Sequence, residues 1–139
     1  MKNENFEHCK GIARDLERVT NGEIYRCPLC GGYVHLPDGL EEDEARCPDC
    51  ERFSASDKWE MVSLSEWLED GIYDTEYTVD SRKEYRAVRI MVACGGPNIY
   101  INTRSGDVEL YWWTESARYA MTRDVIDAID ELFEELYNC

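Results

Sequence analysis

Cys27-Pro28-Leu29-Cys30 and Cys47-Pro48-Asp49-Cys50 repeat one four-residue unit, with sixteen residues between the two copies. A Cys-x-x-Cys turn aims two sulfurs at a single point, and two such turns complete a tetrahedron of ligands. The spacing fits a four-cysteine ribbon holding one zinc ion through Cys27, Cys30, Cys47 and Cys50. Gly31 and Gly32 let the chain leave the first knuckle without steric conflict. The competing readings are a pair of redox-active Cys-x-x-Cys motifs, or cysteines that only pack. His35 lies inside the ribbon and is a conceivable substitute ligand. A closed four-sulfur site leaves no coordination position for a substrate, so the metal reads as structural.

The seven cysteines are an odd number, and Cys9, Cys94 and Cys139 fall outside the pattern. Burial is expected for Cys9 and Cys94, and Cys139 reads as an incidental terminal thiol. The start, Met1-Lys2-Asn3-Glu4-Asn5, lacks the basic and then apolar run of a secretory signal, so a cytoplasmic location is expected. In a reducing compartment paired cysteines read as metal ligands rather than disulfides. No run approaches the 18 apolar residues of a membrane span.

Charge narrows the partners. Thirty Asp and Glu stand against 15 Lys and Arg, a formal net charge of −15. Residues 1–26 carry five bases and five acids, so the whole excess lies in residues 27–139, with ten bases against 25 acids. Such a surface repels phosphate backbones and acidic membranes, and it attracts basic protein surfaces. Direct nucleic-acid binding is therefore not expected.

Hydrophobic spacing divides the chain into residues 1–22, an N-terminal helix; 23–60, the ribbon; and 61–139, an α+β sheet-and-helix unit. Phe6, Cys9, Ala13, Leu16 and Val19 recur at helical spacing over residues 4–20, with Gly22 as the stop. Ile24–Arg26 and Tyr33–Leu36 read as short strands flanking the first knuckle, and Glu41–Glu44 as a solvated loop. Residues 64–70 read as a short helix capped by Ser63 and ended by Gly71. Four strands follow, Asp74–Val79, Tyr85–Ala93, Asn98–Thr103 and Val108–Trp113, joined by short turns into an antiparallel meander. In the second of them, alternation directs Val88, Ile90 and Val92 to the core and Ala87, Arg89 and Met91 away from it.

Residues 122–137 form the clearest helix, with Thr122 as its cap. Val125, Ile126, Ile129, Leu132, Phe133 and Leu136 make one apolar stripe that should cover one sheet face. Asp127, Asp130, Glu131, Glu134 and Glu135 occupy the remaining surface and are candidate contacts for a basic partner. In Tyr111-Trp112-Trp113, neighbours on a strand point to opposite faces, so one tryptophan is either covered by another element or exposed. Trp113 is the candidate aromatic contact. No phosphate-binding loop, Ser/His/Asp arrangement or second metal cluster can be read, which argues against an enzyme.

A strongly acidic small chain with a four-cysteine ribbon and an α+β remainder resembles the zinc-containing, phage-encoded anti-CRISPR proteins that inhibit type II-A Cas9. The resemblance rests on Cys27, Cys30, Cys47 and Cys50, on the acidity, and on Gly95-Gly96-Pro97-Asn98-Ile99-Tyr100-Ile101-Asn102-Thr103. That last stretch has the look of an uncharacterised phage and mobile-element domain. The resemblance implies a non-enzymatic inhibitor that occupies a nucleic-acid-binding surface of Cas9, whose heteroduplex lies in a positively charged channel. The alternative is a zinc-ribbon adaptor in a nucleic-acid or transcription complex.

Overall fold

The computed structural model describes residues 2–69 and 71–139. The expected end of the second helix at Asp70 lies outside the described residues. The chain is α+β, with a helix near each end of the described chain and a cysteine cluster between them.

The first helix, α1 (Lys2–Thr20), buries Cys9, Ala13, Leu16 and Val19, the spacing that predicts it. Gly22 ends it at φ 75°. Glu23 N–H donates to the Arg18 carbonyl at 2.9 Å and Gly22 N–H to Val19 at 3.2 Å, so the last carbonyls are satisfied by a left-handed cap. A Cβ at Gly22 would also lie 3.2 Å from Met61 Sδ.

Both knuckles sit at hairpin tips. Strands β1 (Ile24–Arg26) and β2 (Tyr33–His35) pair antiparallel around the first, with β5 (Glu60–Met61) on the far side of β1. Strands β3 (Glu44–Arg46) and β4 (Phe53–Ala55) pair around the second. Glu44 thus begins a strand rather than ending a loop. Tyr25, Val34 and Trp59 pack with Cys27 and Cys47 into a core of the ribbon's own. The ribbon is tied to the rest by a small cluster of Val19, Ile24 and Val62. An Arg26–Glu66 ion pair and the stacking of Tyr33 against Trp67 add to it.

Helix α2 (Leu64–Glu69) is capped as expected: Ser63 Oγ accepts from Glu66 N–H at 3.1 Å. Beyond it the sheet has five strands, not four. The strands are β6 (Asp74–Val79), β7 (Tyr85–Ala93), β8 (Asn98–Asn102), β9 (Asp107–Trp112) and β10 (Glu115–Ala120), in spatial order β10-β9-β8-β7-β6, a meander. The fifth strand escapes the sequence because only Trp113 and Thr114 separate it from β9, without the glycine or asparagine that marks such turns. Its core-side residues are only Ala117 and Tyr119.

Strand β7 is irregular at two places. The β6–β7 register slips at Thr78/Val79 and leaves Arg86 unpaired as a bulge, so Tyr85 and Val88, three residues apart, both enter the core. The β7–β8 register slips between Met91 and Ala93, where Val92 and Ala93 both pack against it. Ala87 is buried too, although its pairing with Thr78 is regular. Ile90, Ile99, Ile101, Val108 and Leu110 face α1 and the last helix, α3 (Arg123–Asn138), in one continuous core. Thr122 caps α3, its hydroxyl oxygen accepting from Val125 N–H at 3.3 Å. The other sheet face is polar and built around Glu109, which is only 2% exposed.

Candidate metal centre

Each knuckle is closed by the same pair of backbone bonds. Cys27 N–H donates to the Gly32 carbonyl and Gly31 N–H to Cys27; Cys47 N–H donates to Arg52 and Glu51 N–H to Cys47. Four such bonds, all of 2.8–2.9 Å, fold the two loops into near copies. The sulfur atoms of Cys27, Cys30, Cys47 and Cys50 then lie within 4.8 Å of one another. Cys27 Sγ is 3.8 Å from Cys50 Sγ, and Cys30 Sγ is 3.8 Å from Cys47 Sγ. A disulfide would need about 2.05 Å. A regular tetrahedron with edges of about 3.8 Å has its centre about 2.3 Å from each corner, a metal–thiolate bond length, and these two of the six sulfur separations match it.

The donors fit a cation in a second way. Leu29 N–H and Cys30 N–H point at Cys27 Sγ at 3.4 and 3.5 Å, and Cys50 N–H at Cys47 Sγ at 3.4 Å. Burial opposes the Cys27 thiolate, but the N–H groups of Cys30 and Leu29 outweigh it and bring its pKa down. The Gly32 N–H favours the Cys30 thiolate, yet burial and the three neighbouring sulfurs push that thiol up. Four thiolates this close repel one another, and a central cation is what lets all four ionise together. The cluster can hold one metal ion.

Compared with known proteins, the chain matches no family model, no curated protein and no solved structure. Its reading therefore rests on the residues.

The remaining cysteines and histidines stand apart from the centre. Cys9 is fully buried, its thiol donating to the Ala117 carbonyl at 3.7 Å. Cys94 is exposed, against expectation, because the Cys94–Pro97 turn lies beyond the end of β7. Cys139 is exposed at the end of α3. His35 Nε2 meets Glu23 Oε1 at 2.7 Å on β2 and does not join the sulfur cluster.

The candidate partner residues are sorted by the fold. Asp127 pairs with Arg123 at 3.1 Å. Asp130 turns toward the sheet and accepts from the Tyr85 hydroxyl at 2.6 Å, so it is part of the packing rather than a free surface charge. Glu131, Glu134 and Glu135 are exposed and have no ion partner among the described residues. Trp113 is not in β9 but in the two-residue turn after it, 88% exposed at φ 56°. Trp112 instead packs against the core and meets Trp113 edge-on at 5.9 Å.

Sequence reasoning missed the polar cluster over the open sheet face. Glu109 lies between Arg89 and Arg118, each at 3.1 Å, with Asn102 donating at 3.0 Å. Arg89 in turn stacks on Tyr100, 3.6 Å from the ring centroid. The alternation of β7, β8 and β9 signals which residues share this face, but not that Glu109 would be enclosed by them.

Proposed function

We propose that this chain is a zinc-stabilised, non-enzymatic inhibitor that binds a basic, nucleic-acid-contacting surface of a partner protein, with a Cas9 effector as the partner class. The carrying observation is the row of exposed acids on α3, Glu131, Glu134 and Glu135, without ion partners among the described residues, on a helix of 16 residues. Unpaired carboxylates attract a basic surface at long range and hold no charge partner that must first be displaced. The sulfur tetrahedron supports zinc, whose bond to cysteine is about 2.3 Å and whose structural sites close with four ligands. Iron takes the same donors and would colour the protein, whereas zinc would not. The adaptor reading requires nucleic acid to be held beside this charge, and the net charge of −15 opposes it.

The test is inhibition of target-DNA cleavage by Cas9, comparing the zinc-loaded protein with a Glu131→Lys/Glu134→Lys/Glu135→Lys variant. Inhibition that weakens with salt, and an association rate at least tenfold slower in the variant, are expected. Equal inhibition by both proteins overturns the role of α3. Tight binding of the unmodified chain to duplex DNA at physiological salt favours the adaptor.

A further inference from the structure

The apolar stripe of α3 is longer than the core it covers. Val125, Ile126, Ile129 and Phe133 are buried, but Leu136 is 53% exposed and Leu132 only partly covered. Two shallow cavities meet at Leu132. One, of about 390 Å³, runs between α3 and the segment Met61–Ser65. The other, of about 330 Å³, runs between α3 and α2 toward Ile72 and Leu136. Met61, 59% exposed, also lines the first. Together they follow α3 from Ala128 to Leu136, about 12 Å at 1.5 Å per residue, or just over two helical turns.

The charge along this groove has one sign. Glu131 and Glu135 line the first cavity from α3, Glu66 and Glu69 line the second from α2, and among the described residues no Lys, Arg or His lines either. Of the four, only Glu66 has a basic partner, Arg26; the other three have none among the described residues. Ser63 and Ser65 line both cavities, and each cavity joins apolar side chains to one acidic side, a surface complementary to a helix with leucine-type anchors on one face and lysine or arginine beside them. Asp127 and Asp130, by contrast, are held by Arg123 and Tyr85 and take no part in it.

We infer that this groove is the docking site for a cationic amphipathic helical segment of the partner protein. This rests on the basic-partner reading above and deepens it by adding apolar anchoring to the charge. Affinity then depends on Leu132 and Leu136 as much as on the glutamates. A purely polyionic contact would not have that dependence.

The experiment uses the zinc-loaded full chain and three fluorescent 18-residue probes at physiological salt. The first is an amphipathic Leu/Lys helix, the second carries Glu in place of every Lys, and the third is the Leu/Lys composition scrambled to remove the apolar face. Anisotropy should report binding of the first, none of the second, and at least tenfold weaker binding of the third. Leu136→Ser and Glu135→Lys should each weaken the first probe at least tenfold, while Asp127→Lys leaves it unchanged. All three substituted residues are exposed, so circular dichroism should be unaltered. If neither basic probe binds, the basic-partner reading falls with the groove. If both basic probes bind equally, or Asp127→Lys is as damaging as Glu135→Lys, the charge reading stands and the groove is overturned. Self-association through Leu136 without probe binding also overturns it.

Discussion

Glu51 carries in the second knuckle the left-handed backbone that Gly31 carries in the first. Their φ angles are 62° and 72°, and each donates its N–H to the carbonyl of the first cysteine of its knuckle. Glycine adopts that conformation freely, whereas a residue with a Cβ is strained by about 1–2 kcal/mol. Glu51 also pairs with Arg46 at 3.4 Å, but its side chain is 73% exposed and such a pair contributes little.

Glu51→Gly should therefore stabilise the metal-loaded protein, by about 0.5–1 kcal/mol after the extra chain entropy of glycine is subtracted. Gly31→Ala should destabilise it by a similar amount. Denaturant unfolding of the two variants beside the parent measures both. Loss of stability in Glu51→Gly would mean that the Arg46 pair outweighs the backbone strain.

The metal prediction follows from the sulfur tetrahedron. Purified protein should carry about one zinc per chain, and Cys27→Ser or Cys47→Ser should abolish it and unfold the ribbon, because structural zinc contributes roughly 10–16 kcal/mol of binding energy. Cys94→Ser, at an exposed turn, should change neither metal content nor stability. Elemental analysis with thiol titration decides; a full zinc load in Cys27→Ser would remove that residue from the site.

How much of this was legible in the sequence depends on how local each signal is. The knuckles, α1 and α3 announce themselves because their ligands, caps and apolar period lie within a few residues of one another. The strand β10 does not, since its turn places Trp113 where a glycine would normally stand and its core face holds only Ala117 and Tyr119. Asp130 reads as a surface acid on a helical wheel. Only the arrival of Tyr85, 45 residues away, makes it a packed one. The groove beside Leu136 likewise depends on where α2 comes to rest, which no spacing along α3 encodes.

Glu109 sets the expected response to acid. Burial by itself would raise its pKa, but the Asn102 amide and the guanidinium groups of Arg89 and Arg118 outweigh that and hold it below the ordinary 4.5. A folded value below the unfolded one means that the native state binds fewer protons. The stabilisation is fully present above the unfolded value and is lost as pH falls through the folded one. Glu109→Gln should cost about 1–3 kcal/mol at neutral pH, toward the low end because Arg118 is half exposed, and should flatten the acid limb. Unfolding curves from pH 7 to pH 3 test both; parallel limbs would show that Glu109 does not titrate with folding.

Trp113 yields the most discriminating prediction, because stability and binding should move in opposite directions. It is the first residue of a two-residue hairpin turn, at φ 56°, where glycine is the natural occupant. A bulky side chain there is strained and, at 88% exposure, recovers little by burial. Its one aromatic contact, edge-on to Trp112 at 5.9 Å, is worth about 0.5–1.5 kcal/mol at most. Trp113→Gly should thus leave unfolding free energy unchanged or raise it by up to about 1 kcal/mol. Under the proposed inhibitor function, and if the ring contacts the partner, the same substitution should weaken any inhibition of Cas9 cleavage at least tenfold, as loss of an exposed aromatic anchor does. Trp113→Phe keeps both an aromatic ring and the backbone strain, so it should retain most of the inhibition without gaining stability. A large loss of stability in Trp113→Gly would make the tryptophan a structural residue of the hairpin. Unchanged inhibition in a stable variant would place the partner surface elsewhere.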